Sequence, residues 1–262
     1  MDKKIYDKIA ESLFIARKNR CPINPLTLEF PEITCLDAYQ IQLINIEREV
    51  QSGAKIVGKK IGLTSKAMQE MLGVNEPDYG VILDNMILDD SGNYNLDSLN
   101  LILPKIEAEI AFVLKEDIKG PGVTITKVLQ STEYVLPVLE IIDTRIKDWK
   151  IKIQDTIADN ASSAYVVLSG KVNSIRNNNL CYTPLIFKKN GKIQNTGVGA
   201  NVLGHPAFAV AWLANKLSEY QMGLKEGEVI LAGALTAAVS ISKGDCIIAD
   251  FGNFGSVGVS FD

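Results

Sequence analysis

The sequence holds one histidine, His205, and four cysteines, Cys21, Cys35, Cys181 and Cys246, in 262 residues. One histidine excludes a metal site built from two imidazoles of the same chain. The cysteines lie far apart with no C-x-x-C pair, so neither a zinc site nor a disulfide framework is expected, and they read as reduced, mostly buried small hydrophobes. No apolar run reaches membrane-spanning length. Met1-Asp2-Lys3-Lys4-Ile5 leads into a charged amphipathic segment, not a signal-peptide core, so the expected home is a reducing cytoplasm. Basic charge is not in excess either: the formal net charge is −4. With Lys and Arg scattered, neither nucleic acid nor an anionic membrane is an expected partner. Gly197-Val198-Gly199-Ala200-Asn201-Val202 lacks the third glycine of a dinucleotide fingerprint, and there is no phosphate loop and no G-x-S-x-G elbow.

What is present suits a globular chain able to bury a sizeable core without staples, with 47% apolar and 22% charged residues. Ile5, Ile9, Leu13 and Ile15-Ala16 recur at helical spacing, predicting an amphipathic helix over 3–19. Pro22–Pro31, with three prolines, reads as an extended connector. Thr34-Cys35-Leu36-Asp37 fits a capping box opening a second helix to about Ser52, stopped by Gly53. A strand over Lys55–Leu63 and a short helix over Ser65–Leu72, closed by Gly73, complete a small α/β region. Beyond it, apolar β-like runs recur at Val81–Leu83, Ile102–Leu114, Tyr134–Ile142, Tyr165–Leu168, Leu185–Lys188, Val229–Leu231, Val239–Ile241, Cys246–Phe251 and Ser256–Phe261. One clear helix, from Pro206 to Leu217, interrupts them. The expected fold is α+β, with a boundary near residue 78 between an N-terminal region (1–78) and a larger β-rich body (79–262).

The chemistry is sought among carboxylates. Lys105-Ile106-Glu107-Ala108-Glu109-Ile110-Ala111-Phe112 alternates strictly, so Glu107 and Glu109 share one face, roughly 7 Å apart along the backbone. Two carboxylates so placed can converge on one hard cation. Glu140 lies inside the apolar run Val135–Ile142, where an isolated charge would be costly, so it should be paired, protonated or metal-bound. Three oxygen donors suit Mg²⁺ or Mn²⁺ better than Zn²⁺. The competing reading places Glu107 and Glu109 on a solvated strand face and pairs Glu140 with an arginine such as Arg145. Lys60, in Gly58-Lys59-Lys60-Ile61-Gly62, is either a surface lysine or a group held beside a 2-oxo acid. Asp78 and Asp159-Asn160-Ala161-Ser162 read first as turn residues. His205, before Pro206, reads as structural at a helix start.

Seven stretches taken together resemble the 2-keto-4-pentenoate hydratase family of the fumarylacetoacetase superfamily. They are GKKIGLTSKAMQ (58–69), GVNEPDYG (73–80), PKIEAEIAFVL (104–114), LPVLEIIDTRIKDWKI (136–151), DTIADNAS (155–162), GHPAFAVAWLANKL (204–217) and GDCIIADFGNFGSVGVSF (244–261). Asp143-Thr144-Arg145 stands where relatives often have Asp-Ser-Arg. The resemblance implies a small N-terminal α/β region packed on a mixed β-roll, and Mg²⁺ or Mn²⁺ held by Glu107, Glu109 and Glu140. It also implies Lys60, Asp78 and Ser162 at the pocket of a small 2-hydroxydienoate or 2-oxo acid substrate. A homo-oligomer, such as a pentamer-based decamer, and a complex with a related decarboxylase are further implications. Neighbours within the superfamily are 4-oxalocrotonate decarboxylase and 2-oxohept-3-enedioate hydratase.

Overall fold

A computed structural model describes the backbone of residues 1–262 and the side chains of all but Met71, Leu72 and Asn177. In chain order the elements are α1 (Lys3–Asn19), α2 (Leu26–Glu29), α3 (Cys35–Gln51), β1 (Ile56–Gly62), α4 (Lys66–Leu72), β2 (Asp78–Leu83), β3 (Ile87–Asp89), β4 (Asn93–Tyr94), β5 (Lys105–Leu114), α5 (Ile125–Ser131) and β6 (Thr132–Ile142). There follow α6 (Ile153–Ala158), β7 (Ser163–Leu168), β8 (Pro184–Lys189), β9 (Lys192–Val198), α7 (Pro206–Ser218), β10 (Val229–Ala234), β11 (Val239–Ser240), β12 (Cys246–Asp250) and β13 (Ser256–Phe261). The arrangement is α+β. No helix is long and apolar enough to cross a membrane.

The helix ends follow local chemistry. Thr34 and Asp37 form the reciprocal capping box at the start of α3, and Gly73 closes α4 in a left-handed conformation. His205 caps α7, its Nδ1 accepting from Ala207 N at 3.0 Å. Three expectations fail. The proline-rich connector contains the turn of helix α2, because Leu26 is buried and Thr27 hydrogen-bonds Asp155 through both its amide and its hydroxyl. Helices α5 and α6 were too short for a periodicity to register. The cysteines are free but not core residues: Cys21 and Cys246 are exposed, Cys35 and Cys181 half-buried.

An eight-stranded mixed sheet runs β2-β1-β10-β5-β6-β7-β3, with β11 paired to β5. A five-stranded sheet runs β4-β13-β12-β8-β9. In the large sheet β1 lies between β2 and β10, antiparallel to the first and parallel to the second. The N-terminal region thus contributes a strand to the sheet of the body, and residue 78 opens β2, the neighbouring strand of the same sheet. Alternation assigns the faces. Ile106, Ala108, Ile110, Phe112 and Leu114 of β5 enter the main core with the helices. The opposite face carries a smaller cluster of Ile82, Ala111, Leu136, Val138, Val166 and Leu231. The edge of the large sheet at β2 is tied to the lead-in of β7 by Asn160, whose side chain accepts from Val81 N at 2.8 Å and donates to Val81 O at 2.9 Å.

Candidate active site

The β5–β6 ladder is antiparallel with Glu107 directly opposite Glu140. Opposed residues in such a ladder share a face, and Glu109 joins them by the two-residue period of the strand. One register therefore brings the three carboxylates together, with an oxygen from each lying within 4.8 Å of the others. Glu109 and Glu140 are buried, at 1% and 0% exposure, while Glu107 is only half-buried. Glu109 Oε2 accepts from Gly233 N at 2.6 Å. That amide is free because β10 bulges between Leu231 and Ala234. Gly233 sits at φ +112, where a Cβ would also strike Thr64.

On the same face, Lys60 reaches in from β1 and Asp78 from the start of β2. Lys60 Nζ lies 3.4 Å from Glu140 Oε2 and donates to Ala161 O at 2.9 Å. A Cβ at Gly62 would collide with Asp78 Oδ1 and crowd Lys60 Nζ, so the glycine two residues after the lysine makes room for their approach. Ser162 lies in the turn before β7, its Oγ 3.4 Å from Thr156 Oγ1. The alternative partner for Glu140 is ruled out by geometry: Arg145 is engaged by Asp159, and Glu140 faces Lys60 instead. Gly62 and Gly233 shape this cluster, and pattern reading passed over both. Gly62 had a signal in the glycines flanking the Lys60 strand, whereas Gly233 had none.

The electrostatics follow from crowding. Burial, then the Glu140 charge, pushes the Glu107 carboxyl up to about 7. Burial together with Glu140 and Glu107 holds Glu109 well above the ordinary carboxylate range. Burial raises Glu140 and Asp78 as well, with Lys60 pulling both partly back. Burial opposes the charge on Lys60, but Glu140, Asp78, Glu107 and Glu109 outweigh it and its pKa is raised. Both Glu140 oxygens and Asp78 Oδ1 are buried without a hydrogen bond. Four carboxylates around one buried ammonium leave negative charge uncompensated. Unpartnered hard oxygens, with no histidine or cysteine in the cluster among the described residues, fit a divalent cation of the Mg²⁺, Mn²⁺ or Ca²⁺ type.

Residues 98–261 match the family model described as fumarylacetoacetate (FAA) hydrolase C-terminal. The chain belongs to the fumarylacetoacetate hydrolase family. Among its curated members, a 2-hydroxypent-2,4-dienoate hydratase of Pseudomonas putida is 46% identical over 84% of this chain and 99% of its own. A 2-hydroxyhexa-2,4-dienoate hydratase of Comamonas testosteroni is 44% identical over 93% of this chain and 92% of its own. These place the chain with the family's 2-keto-4-pentenoate hydratases. A family member of known structure, 4-oxalocrotonate decarboxylase from Pseudomonas putida complexed with magnesium and adipate, superposes with a TM-score of 0.97 at 37% identity, covering 100% of this chain and 99% of its own.

Proposed function

We propose that the protein is a divalent-metal-dependent hydratase that converts 2-hydroxypenta-2,4-dienoate to 4-hydroxy-2-oxopentanoate. The observation that carries the reading is the convergence of Glu107, Glu109 and Glu140 opposite Lys60 and Asp78, in a chain 46% identical to a named pentadienoate hydratase. The three glutamates are the residues that would hold Mg²⁺ or Mn²⁺. Bound there, the cation supplies Lewis-acid stabilisation of the negative charge that develops on the substrate's 2-oxygen.

The chain's own residues do the rest. Lys60, an ammonium buried among these carboxylates, pairs with the substrate carboxylate or moves a proton. Ketonisation takes the proton from the dienol hydroxyl, places one on C5 and leaves a C3–C4 alkene conjugated to the 2-oxo group. Asp78, raised by burial and so a stronger base than an exposed aspartate, then takes the proton from the water that adds at C4, and C3 takes up a proton as the 2-oxo group re-forms. Ser162 borders the same space from the turn before β7 and orients the substrate by hydrogen bonding. Negative charge then accumulates where the site is built to receive it, which favours the transition state over the ground state. By the same family likeness the protein works as a homo-oligomer, with a partner decarboxylase as a further associate.

One observation favours a second reading, 4-oxalocrotonate decarboxylase: the closeness of the fold to that enzyme. Supplying the dienol and 4-oxalocrotonate in parallel Mn²⁺-containing assays, and following absorbance and CO₂ release in both, separates the two. Loss of dienol without CO₂ is expected, and it should stop on chelation. CO₂ release in step with substrate loss would replace hydration by decarboxylation, and full turnover after thorough chelation would remove the metal from the proposal.

A further inference from the structure

Arg145 and Asp159 are both buried, and the chemistry above leaves them without a task. They flank a short segment of unusual backbone. Asn160, Ala161 and Ser162 stand at φ of 54°, 49° and 58°, three successive non-glycine residues in the left-handed region. An L side chain is strained at each of these positions, so the run persists only where its surroundings over-determine it.

Those surroundings converge on Arg145. Its Nε donates to Asp159 Oδ1, its amide to Asp159 Oδ2 at 2.9 Å, and its Nη2 to the Asp159 carbonyl at 2.6 Å. One planar fork therefore grips both the side chain and the backbone of the residue that opens the turn, which the point charge of a lysine cannot do. From the other side Asn160 is clasped to Val81 of β2, and Gly80 leaves the space that the Asn160 carbonyl fills. The turn delivers two groups to the site: the Ala161 carbonyl that receives Lys60 Nζ at 2.9 Å, and the Ser162 hydroxyl. The metal-binding candidates lie on the β5–β6 ladder and do not pass through this turn.

We propose that Arg145 is a positioning residue: acting through Asp159, it holds the left-handed turn 160–162 and so sets where the Lys60 ammonium and the Ser162 hydroxyl stand for the reaction. The proposal rests on the hydratase reading. It separates two properties that a general loss of structure would lower together, turnover and metal affinity.

Arg145→Lys keeps the charge and removes the fork, and Asp159→Asn keeps the shape and weakens the pairing. Each is measured with wild type for kcat and KM on the dienol with Mn²⁺, and for Mn²⁺ affinity by electron paramagnetic resonance. Each variant is expected to lose about 10–100-fold in kcat, the scale of a displaced catalytic group, with Mn²⁺ affinity within about twofold of wild type. The double variant should be no worse than the poorer single one, since both break one unit. Unchanged kcat in the folded variants overturns the proposal, and so does a parallel fall of kcat and Mn²⁺ affinity. Should Arg145→Lys fail to fold, the near-isosteric Asp159→Asn decides. Failure of the hydratase reading shows separately, as wild type that leaves the dienol unchanged. The pair is then read from 2-oxopentanoate binding to the Mn²⁺-loaded proteins, where equal affinity in wild type and variants overturns it.

Discussion

At Glu140, burial acts against the charge, neither oxygen has a hydrogen bond among the described residues, and the Lys60 ammonium 3.4 Å away compensates it in part. A residue chosen for stability would not be a carboxylate here. Carboxylates that outnumber the ammonium they surround lower stability, and a neutral residue of the same shape at one of them relieves it while Asp78, Glu107 and Glu109 still face Lys60. Glu140→Gln should therefore raise the melting temperature of the metal-free protein by about 2–4 °C for each kcal/mol relieved. The same change should abolish the stabilisation that Mn²⁺ confers on wild type, together with activity. Scanning calorimetry with and without Mn²⁺ reads both effects. A metal-free variant less stable than wild type would show that Glu140 is compensated in some other way.

At the scale of elements, the β5–β6 ladder makes three residues behave as one titrating unit. In the folded chain Glu107 keeps its proton up to about pH 7, against an ordinary value of 4.5, and Glu109 and Glu140 are raised as well. Between those two values the folded state binds more protons than the unfolded state. The cluster's contribution to stability is thus fully present below about pH 4.5 and is lost as pH rises towards 7. Urea denaturation of metal-free protein should give a midpoint that falls from pH 5 to pH 8, and more steeply than in Glu140→Gln, which keeps Glu107 and Glu109 but loses their coupling to Glu140. Metal affinity should run the opposite way and strengthen over that interval, because the ligands must release their protons to bind. A midpoint difference between the two proteins that does not change with pH would refute the coupling.

At the scale of the molecule, α1, α3 and the body share one core. Ile9, Leu13 and Ile41 belong to the same buried cluster as Phe112, Leu213 and Phe261. Gln42 of α3 donates to Tyr79 O at 3.1 Å and to Ile157 O at 2.9 Å, and Tyr39 stacks on Tyr79 with ring centroids 4.4 Å apart. Since β1 also lies inside the large sheet, regions 1–78 and 79–262 should unfold in a single calorimetric transition. Two resolved transitions would show that the boundary near residue 78 divides separate cooperative units.

Local chemistry was enough to read most elements from the amino-acid order, because caps, glycine stops and apolar periods act within a few residues. The helices at 3–19 and 35–51 and the strand bearing Glu107 and Glu109 are cases in point. Strand alternation also put those two glutamates on one face, and the apolar run around Glu140 marked that residue as needing a partner. Short helices such as α5 and α6 span too few residues for a period to show. What tertiary structure alone decided was which distant groups meet: Glu107 opposite Glu140, Lys60 turned to Glu140, Arg145 given to Asp159 instead. Those choices depend on strand register, and register is fixed by the packing of both faces at once, a property that no single segment of the chain carries.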